Sequence, residues 1–179
     1  LEGKDPALGI IPINADSQCK WGCIDIDQYN FDHKTFITRI RKKNLPFILC
    51  RSKSGGAHVF LFTTEFIEAE TMQAKLKELA AALGYSECEI FPKQTKILVD
   101  RGDTGNFLNL PYHHSNQTTR YAIKDNGEAA TLEEFFLMYE KYGVDRQNFN
   151  SIHIKTEDSP IKNGPPCLTI LCNEGFPEG

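Results

Sequence analysis

Hydrophobic and polar positions change period several times along the chain, and each change marks an element. Residues 8–13 and 20–27 carry the apolar patterning of strands, with Pro12 placing the first at a sheet edge. Phe36, Ile37 and Ile40 recur at helical spacing. Asp32 is positioned to cap that helix, Arg39, Arg41, Lys42 and Lys43 suit the negative end of its dipole, and Asn44-Leu45-Pro46 ends it. Residues 47–51 and 57–62 read as strands joined at hairpin spacing by a Ser/Gly-rich loop. The clearest helix spans 68–83, where Met72, Leu76, Leu79, Ala80 and Leu83 form one apolar stripe and Gly84 supplies the stop. Short strands are expected at 87–91, 97–100 and 105–110, with a turn at 101–105, and one more at 119–123. Thr131-Leu132-Glu133-Glu134 fits a capping box opening a last helix that ends near Gly143, with Leu132, Phe135, Phe136 and Tyr139 facing inward. From Asp145 onward no period is legible.

This order of elements predicts an α+β fold with an antiparallel or mixed sheet and flanking helices. No Gly-x-Gly-x-x-Gly follows a strand and no Gly-x-x-x-x-Gly-Lys-Ser/Thr occurs, which argues against dinucleotide-binding and P-loop folds. The 179 residues, 40% hydrophobic and 25% charged, suit one well-buried domain, placed at 1–145, with 146–179 as an irregular strap or linker. A start without methionine, a Gly164-Pro165-Pro166 break and a loop-like end at Gly179 are expected of a piece of a longer protein in which a C-terminal domain follows. No apolar run approaches the roughly 20 residues of a bilayer span and no signal segment opens the chain. A cytoplasmic location, in a host cell if the source is viral, and no membrane partner are therefore expected.

A net charge of −4 argues against wholesale coating of nucleic acid. Basic residues nevertheless recur at Arg51, Lys53, Lys93, Lys96 and Arg101, enough for a local phosphate-binding surface. The six cysteines are too dispersed to demand a disulfide framework, and Cys23, Cys50 and Cys88 sit in the apolar contexts of core thiols. Neither Cys19 with Cys23 nor Cys167 with Cys172 has the two-residue gap of a zinc knuckle, so zinc is not expected.

Chemistry concentrates in Ile24-Asp25-Ile26-Asp27 and Arg51-Ser52-Lys53-Ser54-Gly55-Gly56-Ala57-His58. On a strand Asp25 and Asp27 share one face while Ile24 and Ile26 enter a core. Aspartate is disfavoured in strands, and two carboxylates so placed call for cations, such as a divalent pair about 4 Å apart. The loop adds backbone N–H groups, Ser54, Gly55, Gly56, the basic Arg51 and Lys53, and His58, all suited to phosphates. Glu89, inside a short apolar strand, is the third carboxylate, chosen over Glu87, Asp100 and Asp103, and Lys93 and Lys96 follow it. Asn109, Tyr112 and His113, at the end of an apolar strand, are candidates for gripping a sugar or base; His114 is read as a solvated neighbour.

These residues resemble the signature of the archaeo-eukaryotic primase superfamily, in particular the primase-polymerases of phages, mobile plasmids and conflict systems. That signature comprises a hydrophobic-Asp-hydrophobic-Asp strand, a Ser/Gly-rich loop ending in His, and a later acidic residue. Here they look like residues 24–27, residues 54–58 and Glu89, and the run 89–94 with 105–112 is similar to the conflict-system and phage branch. The likeness covers residues 8–142, and one departure is Glu89, where several members carry Asp. It implies a core containing an RRM-like sheet and template-directed nucleotide transfer from NTP or dNTP onto a 3′-hydroxyl, in many members with primer synthesis. It also implies that Asp25, Asp27 and Glu89 hold two Mg2+ or Mn2+ ions, that Arg51, Lys53, Ser54 and His58 contact the triphosphate, and that single-stranded DNA template and primer are partners.

Two other classes fit parts of the pattern. A replication-initiator nuclease would also use clustered carboxylates, but its His-hydrophobic-His metal pair is missing, since His113 and His114 are adjacent. A non-catalytic single-stranded nucleic-acid-binding module would need only the basic residues and aromatics such as Phe60, Phe91 and Phe107, and would leave Asp25 and Asp27 without a purpose.

Overall fold

The computed structural model describes residues 7–113 and 118–154. Its elements are β1 (Gly9–Ile10), β2 (Gln18–Ile26), α1 (His33–Lys42), β3 (Phe47–Arg51), β4 (Ala57–Glu68), α2 (Ala69–Ala82), β5 (Glu89–Phe91), β6 (Leu108–Asn109), α3 (Leu132–Tyr142) and α4 (Arg146–Ser151). From β2 to β5 the chain runs βαββαβ, and its four strands lie in the order β3-β4-β2-β5, every neighbouring pair antiparallel. This is the split-βαβ sheet of RRM-like folds, so the expected α+β class holds, with the antiparallel of the two sheet types.

Alternation along each strand divides the core in two. Ile24, Ile26, Leu49, Val59 and Leu61 face a cluster built with Phe36, Ile37 and Ile40 of α1 and Met72, Leu76 and Leu79 of α2. Cys23, Ile48, Cys50, Phe60 and Phe91 point to the opposite face, which Leu108, Ala122 and Phe135 partly cover. Strands buried on both faces explain why 47–51 reads as continuous apolar sequence. Asp32 caps α1 by accepting from Thr35 N at 3.0 Å, and Thr131 with Glu134 forms the expected capping box on α3.

Several expected elements differ. Residues 97–100 do not form a strand: Val99–Arg101 is a 3-10 turn, with Leu98 N donating to Asp103 Oδ2 at 3.1 Å and Gly102 in the left-handed region closing it. The strands expected at 8–13 and 105–110 shrink to the paired Gly9–Ile10 and Leu108–Asn109. Residues 119–123 make only isolated bridges, Cys50 to Ala122 and Ile123 to Ala129. On α3 the inward residues are Phe135, Met138 and Tyr142, and Phe136 is 56% exposed. Residues 146–151, expected as the start of an irregular strap, form α4, capped by Asp145 and anchored by the fully buried Phe149. The rest of that segment from residue 155, with Cys167, Cys172 and the Gly164-Pro165-Pro166 break, lies outside the described residues, as does His114. Among the described residues no helix is long and apolar enough to cross a membrane.

Candidate active site

The strand register builds the site. Cys50 pairs with His58, His58 with Asp25, and Asp25 with Glu89, so one row of side chains crosses all four strands. Cys50, with its face-mates Cys23 and Phe60, fixes this row to the face opposite α1 and α2. His58 is buried, its Nε2 lies 3.4 Å from Asp25 Oδ1, and the Phe60 ring meets the imidazole edge-on at 6.0 Å. Glu89 is turned toward Lys93, whose Nζ lies 2.7 Å from Glu89 Oε2 and 5.1 Å from the centre of the Phe91 ring. Asp27, just beyond the end of β2, accepts from Ser54 Oγ at 3.1 Å, and that hydroxyl lies 3.0 Å from Ser52 Oγ.

Two glycines hold the 52–56 loop against Asp27. Gly55 has φ +93°, a conformation that side-chain-bearing residues rarely adopt, and a Cβ on Gly56 would stand 2.2 Å from Ile26 O. Ser52 N donates to Gly56 O at 3.0 Å and Gly55 N to Ser52 O at 3.2 Å, closing the turn. His33 Nε2, at the start of α1, donates to Gly56 O at 2.9 Å, which requires that nitrogen to carry the proton. Arg51 Nη1 donates to Ser52 O at 3.2 Å and Thr119 O at 3.0 Å, so Arg51 clamps the loop, while Lys53 is exposed near its tip.

Of the remaining expected residues, Asn109 pairs with Gly9 and borders a groove floored by Trp21, Phe60 and Phe62. Tyr112 donates from Oη to Ala130 O at 2.8 Å and accepts from Ala122 N at 2.9 Å. That hydroxyl is thus a brace between backbone segments rather than a free ligand-gripping group, and burial pushes its pKa up to about 12. His113 follows it, half-buried. Burial raises the thiols of Cys50 and Cys23, the latter helped by the negative Asp25, so both stay protonated at neutral pH.

Sequence reading gave no role to His33 or Ser52, which brace the 52–56 loop, nor to Arg120, which lies on the same face. Arg120 is 4% exposed, and its Nε is buried without a hydrogen-bond partner among the described residues. In sequence it offers no signal beyond its place in an expected strand, where a basic residue reads as solvated; its pairing two residues from Ala122, opposite Cys50, is seen only in the structure.

The carboxylate set suits a hard divalent cation in chemistry and register: oxygen donors only, with Asp25 directly opposite Glu89 and Asp27 two residues further along. As the side chains stand, no group of three or more His, Cys, Asp or Glu converges to ligate a metal among the described residues. Glu89 is held by Lys93 and Asp27 by Ser54 instead.

A search of curated proteins finds no match to this chain. A family model described as the archaeo-eukaryotic primase domain of the TOTE conflict system matches residues 1–138. That span takes in the Asp25/Asp27 strand, the Ser/Gly loop with His58, Glu89 and the RRM-like sheet that aligns them, and the chain belongs to this family of primase-like nucleotidyltransferase domains.

Proposed function

We propose that the domain performs template-directed nucleotidyl transfer from NTP or dNTP onto a 3′-hydroxyl, as a DNA primase, a DNA polymerase or both, with single-stranded DNA and primer as partners. The observation that carries this reading is the in-register row of His58, Asp25 and Glu89 beside the glycine-shaped loop on Asp27. A binding module gains nothing from aspartates on a central strand, whereas phosphoryl transfer needs carboxylates fixed on rigid elements.

Asp25, Asp27 and Glu89 would hold Mg2+ or Mn2+. When bound, such ions supply Lewis acidity, favouring ionisation of the attacking hydroxyl and offsetting charge on the triphosphate. His58, boxed by Phe60 and facing Asp25, orients that carboxylate. Ser54 and the N–H groups of the 52–56 loop offer donors to phosphate oxygens, and Lys53 and Lys93 add positive charge at the rim. Release of Glu89 from Lys93 lets one carboxylate and one ammonium serve cation and phosphate separately.

The test is incorporation of labelled nucleotides on single-stranded DNA, with and without an annealed primer, in Mg2+ or Mn2+. Base-directed extension is the expected result, and products without primer make the enzyme a primase. Degradation of the DNA instead would replace this reading with a nuclease, and binding without turnover would replace it with a binding module.

A further inference from the structure

Arg120 is an unusual buried cation. Only 4% of its surface is exposed, and its Nε is sealed from solvent without a hydrogen-bond partner among the described residues. Burying a guanidinium N–H unpaired costs free energy that folded proteins avoid unless something else uses the group.

The register shows where it stands. Arg51 N donates to Tyr121 O at 2.8 Å and Ile123 N to Leu49 O at 2.8 Å, so residues 120–123 run antiparallel beside β3, with Ala122 opposite Cys50. Two residues along, Arg120 falls opposite Ser52, which is tied to Gly56 across the hairpin and through Ser54 to Asp27. Arg120 thus heads a second row, adjacent to the one holding His58, Asp25 and Glu89 and on the same face.

We propose that Arg120 binds phosphate in this site, and that its ligand is the triphosphate of the incoming nucleotide; the choice of nucleotide rests on the function proposed above. A planar guanidinium offers a fork of donors matched to phosphate oxygens, which a lysine at that position would not. Burial decides between the two sources of phosphate. A nucleic-acid backbone passes over exposed cations such as Lys53, Lys93 and Lys96, whereas a buried side chain at the register position opposite Ser52 would be reached by the compact end of a small molecule.

The probes are sodium tripolyphosphate and an oligothymidylate, read by their effect on melting temperature, together with nucleotide KM and kcat. Wild type is expected to be stabilised by tripolyphosphate, and Arg120→Gln to lose most of that shift while binding oligothymidylate unchanged. Nucleotide KM should rise about 10- to 100-fold, the loss of one charge-assisted interaction, with a smaller change in kcat. Should Arg120→Gln fail to fold, Arg120→Lys carries the test, with a partial loss of the tripolyphosphate shift. A retained tripolyphosphate shift in a folded variant, or weakened oligothymidylate binding in its place, overturns the proposal. Asp25→Asn/Asp27→Asn separates this inference from the polymerase reading: it should abolish synthesis and keep the Arg120-dependent shift. A wild type that makes no polymer yet shows that shift would retain the phosphate site and discard the polymerase.

Discussion

His58 Nε2 lies 3.4 Å from Asp25 Oδ1, the two residues directly opposite on neighbouring antiparallel strands. Because His58 is buried against Phe60, its ring cannot swing away from the carboxylate without opening the core. His58→Ala should therefore lower nucleotide incorporation by about 10- to 100-fold, the cost of one lost positioning contact. His58→Gln, able to donate at similar reach, should recover part of the loss. Steady-state rates on a primed template check this, and equal rates for His58→Ala and wild type would remove His58 from the site.

Gly56 makes a sharper steric prediction. Its added Cβ would stand 2.2 Å from Ile26 O, so Gly56→Ala must push the start of β4 away from the strand that carries Asp25. About 1–3 kcal/mol of destabilisation is expected, with loss of activity beyond what the lower stability explains. Gly55→Ala, strained by φ +93° but meeting only Arg51 Nη2 at 3.6 Å among the described residues, should cost less, about 1 kcal/mol. Urea unfolding of both variants gives the comparison.

Much of the fold was legible because its order follows from period alone. The helices at 33–42 and 69–82 each carry an apolar stripe, and β3 and β4 are short apolar runs split by a Ser/Gly turn at hairpin spacing. What failed was local. Ile97-Leu98-Val99 has strand propensity but no partner strand among the described residues, and Leu98 and Val99 are left 48% and 58% exposed, so a turn closed by Asp103 and Gly102 wins. Six residues of α4 are too few to display a period, and Phe149 reveals itself only by burial. At the site, Asp25, Asp27, Glu89 and His58 were readable as residue types out of place, and the register joins Asp25 to both His58 and Glu89. Arg120 was not readable, because a basic residue in sequence looks solvated until its burial is seen.

Alkaline pH should expose the buried thiols. Burial raises Cys19 to about 12 and pushes Cys23 and Cys50 upward as well. Their folded pKa values exceed the unfolded value of 9.0, so the stability they contribute is complete below pH 9 and is lost as pH rises toward the folded values. Tyr112, raised from 10.0 to about 12, acts in the same direction. Denaturant midpoints should fall between about pH 9 and pH 12. At pH 8 iodoacetamide should label Cys19, Cys23 and Cys50 only on unfolding, and rapid labelling of native Cys50 would refute the packing.

The capping box of α3 holds the lid of aromatic residues over Phe62. Thr131 Oγ1 accepts from Glu134 N at 3.2 Å, Glu134 Oε2 from Thr131 N at 2.7 Å, and Phe135 meets Phe62 edge-on at 6.2 Å. Thr131→Ala should cost about 1 kcal/mol and lower the melting temperature by about 2–4 °C. The backbone N–H of Thr131 also holds the Glu134 carboxyl below its usual range. That increment is present above the ordinary glutamate pKa of 4.5 and is lost as pH falls through the lower folded value. The difference between Glu134→Ala, which removes that carboxylate, and wild type should thus narrow in acid, and a difference that is the same at pH 3 and pH 7 would contradict the capping geometry.

Primed nucleotide incorporation by Asp25→Asn, set against wild type in Mn2+ and Mg2+ at matched melting temperature, bears most directly on the catalytic reading. Asparagine keeps the shape of Asp25 in the row between His58 and Glu89 and removes only the charge. Incorporation should fall by about a thousandfold or more with little change in stability, as expected when a charged ligand of the reaction centre is neutralised. A variant that extends primers within a few-fold of wild type would mean that Asp25 does not serve the reaction and that the aligned carboxylates are not its centre.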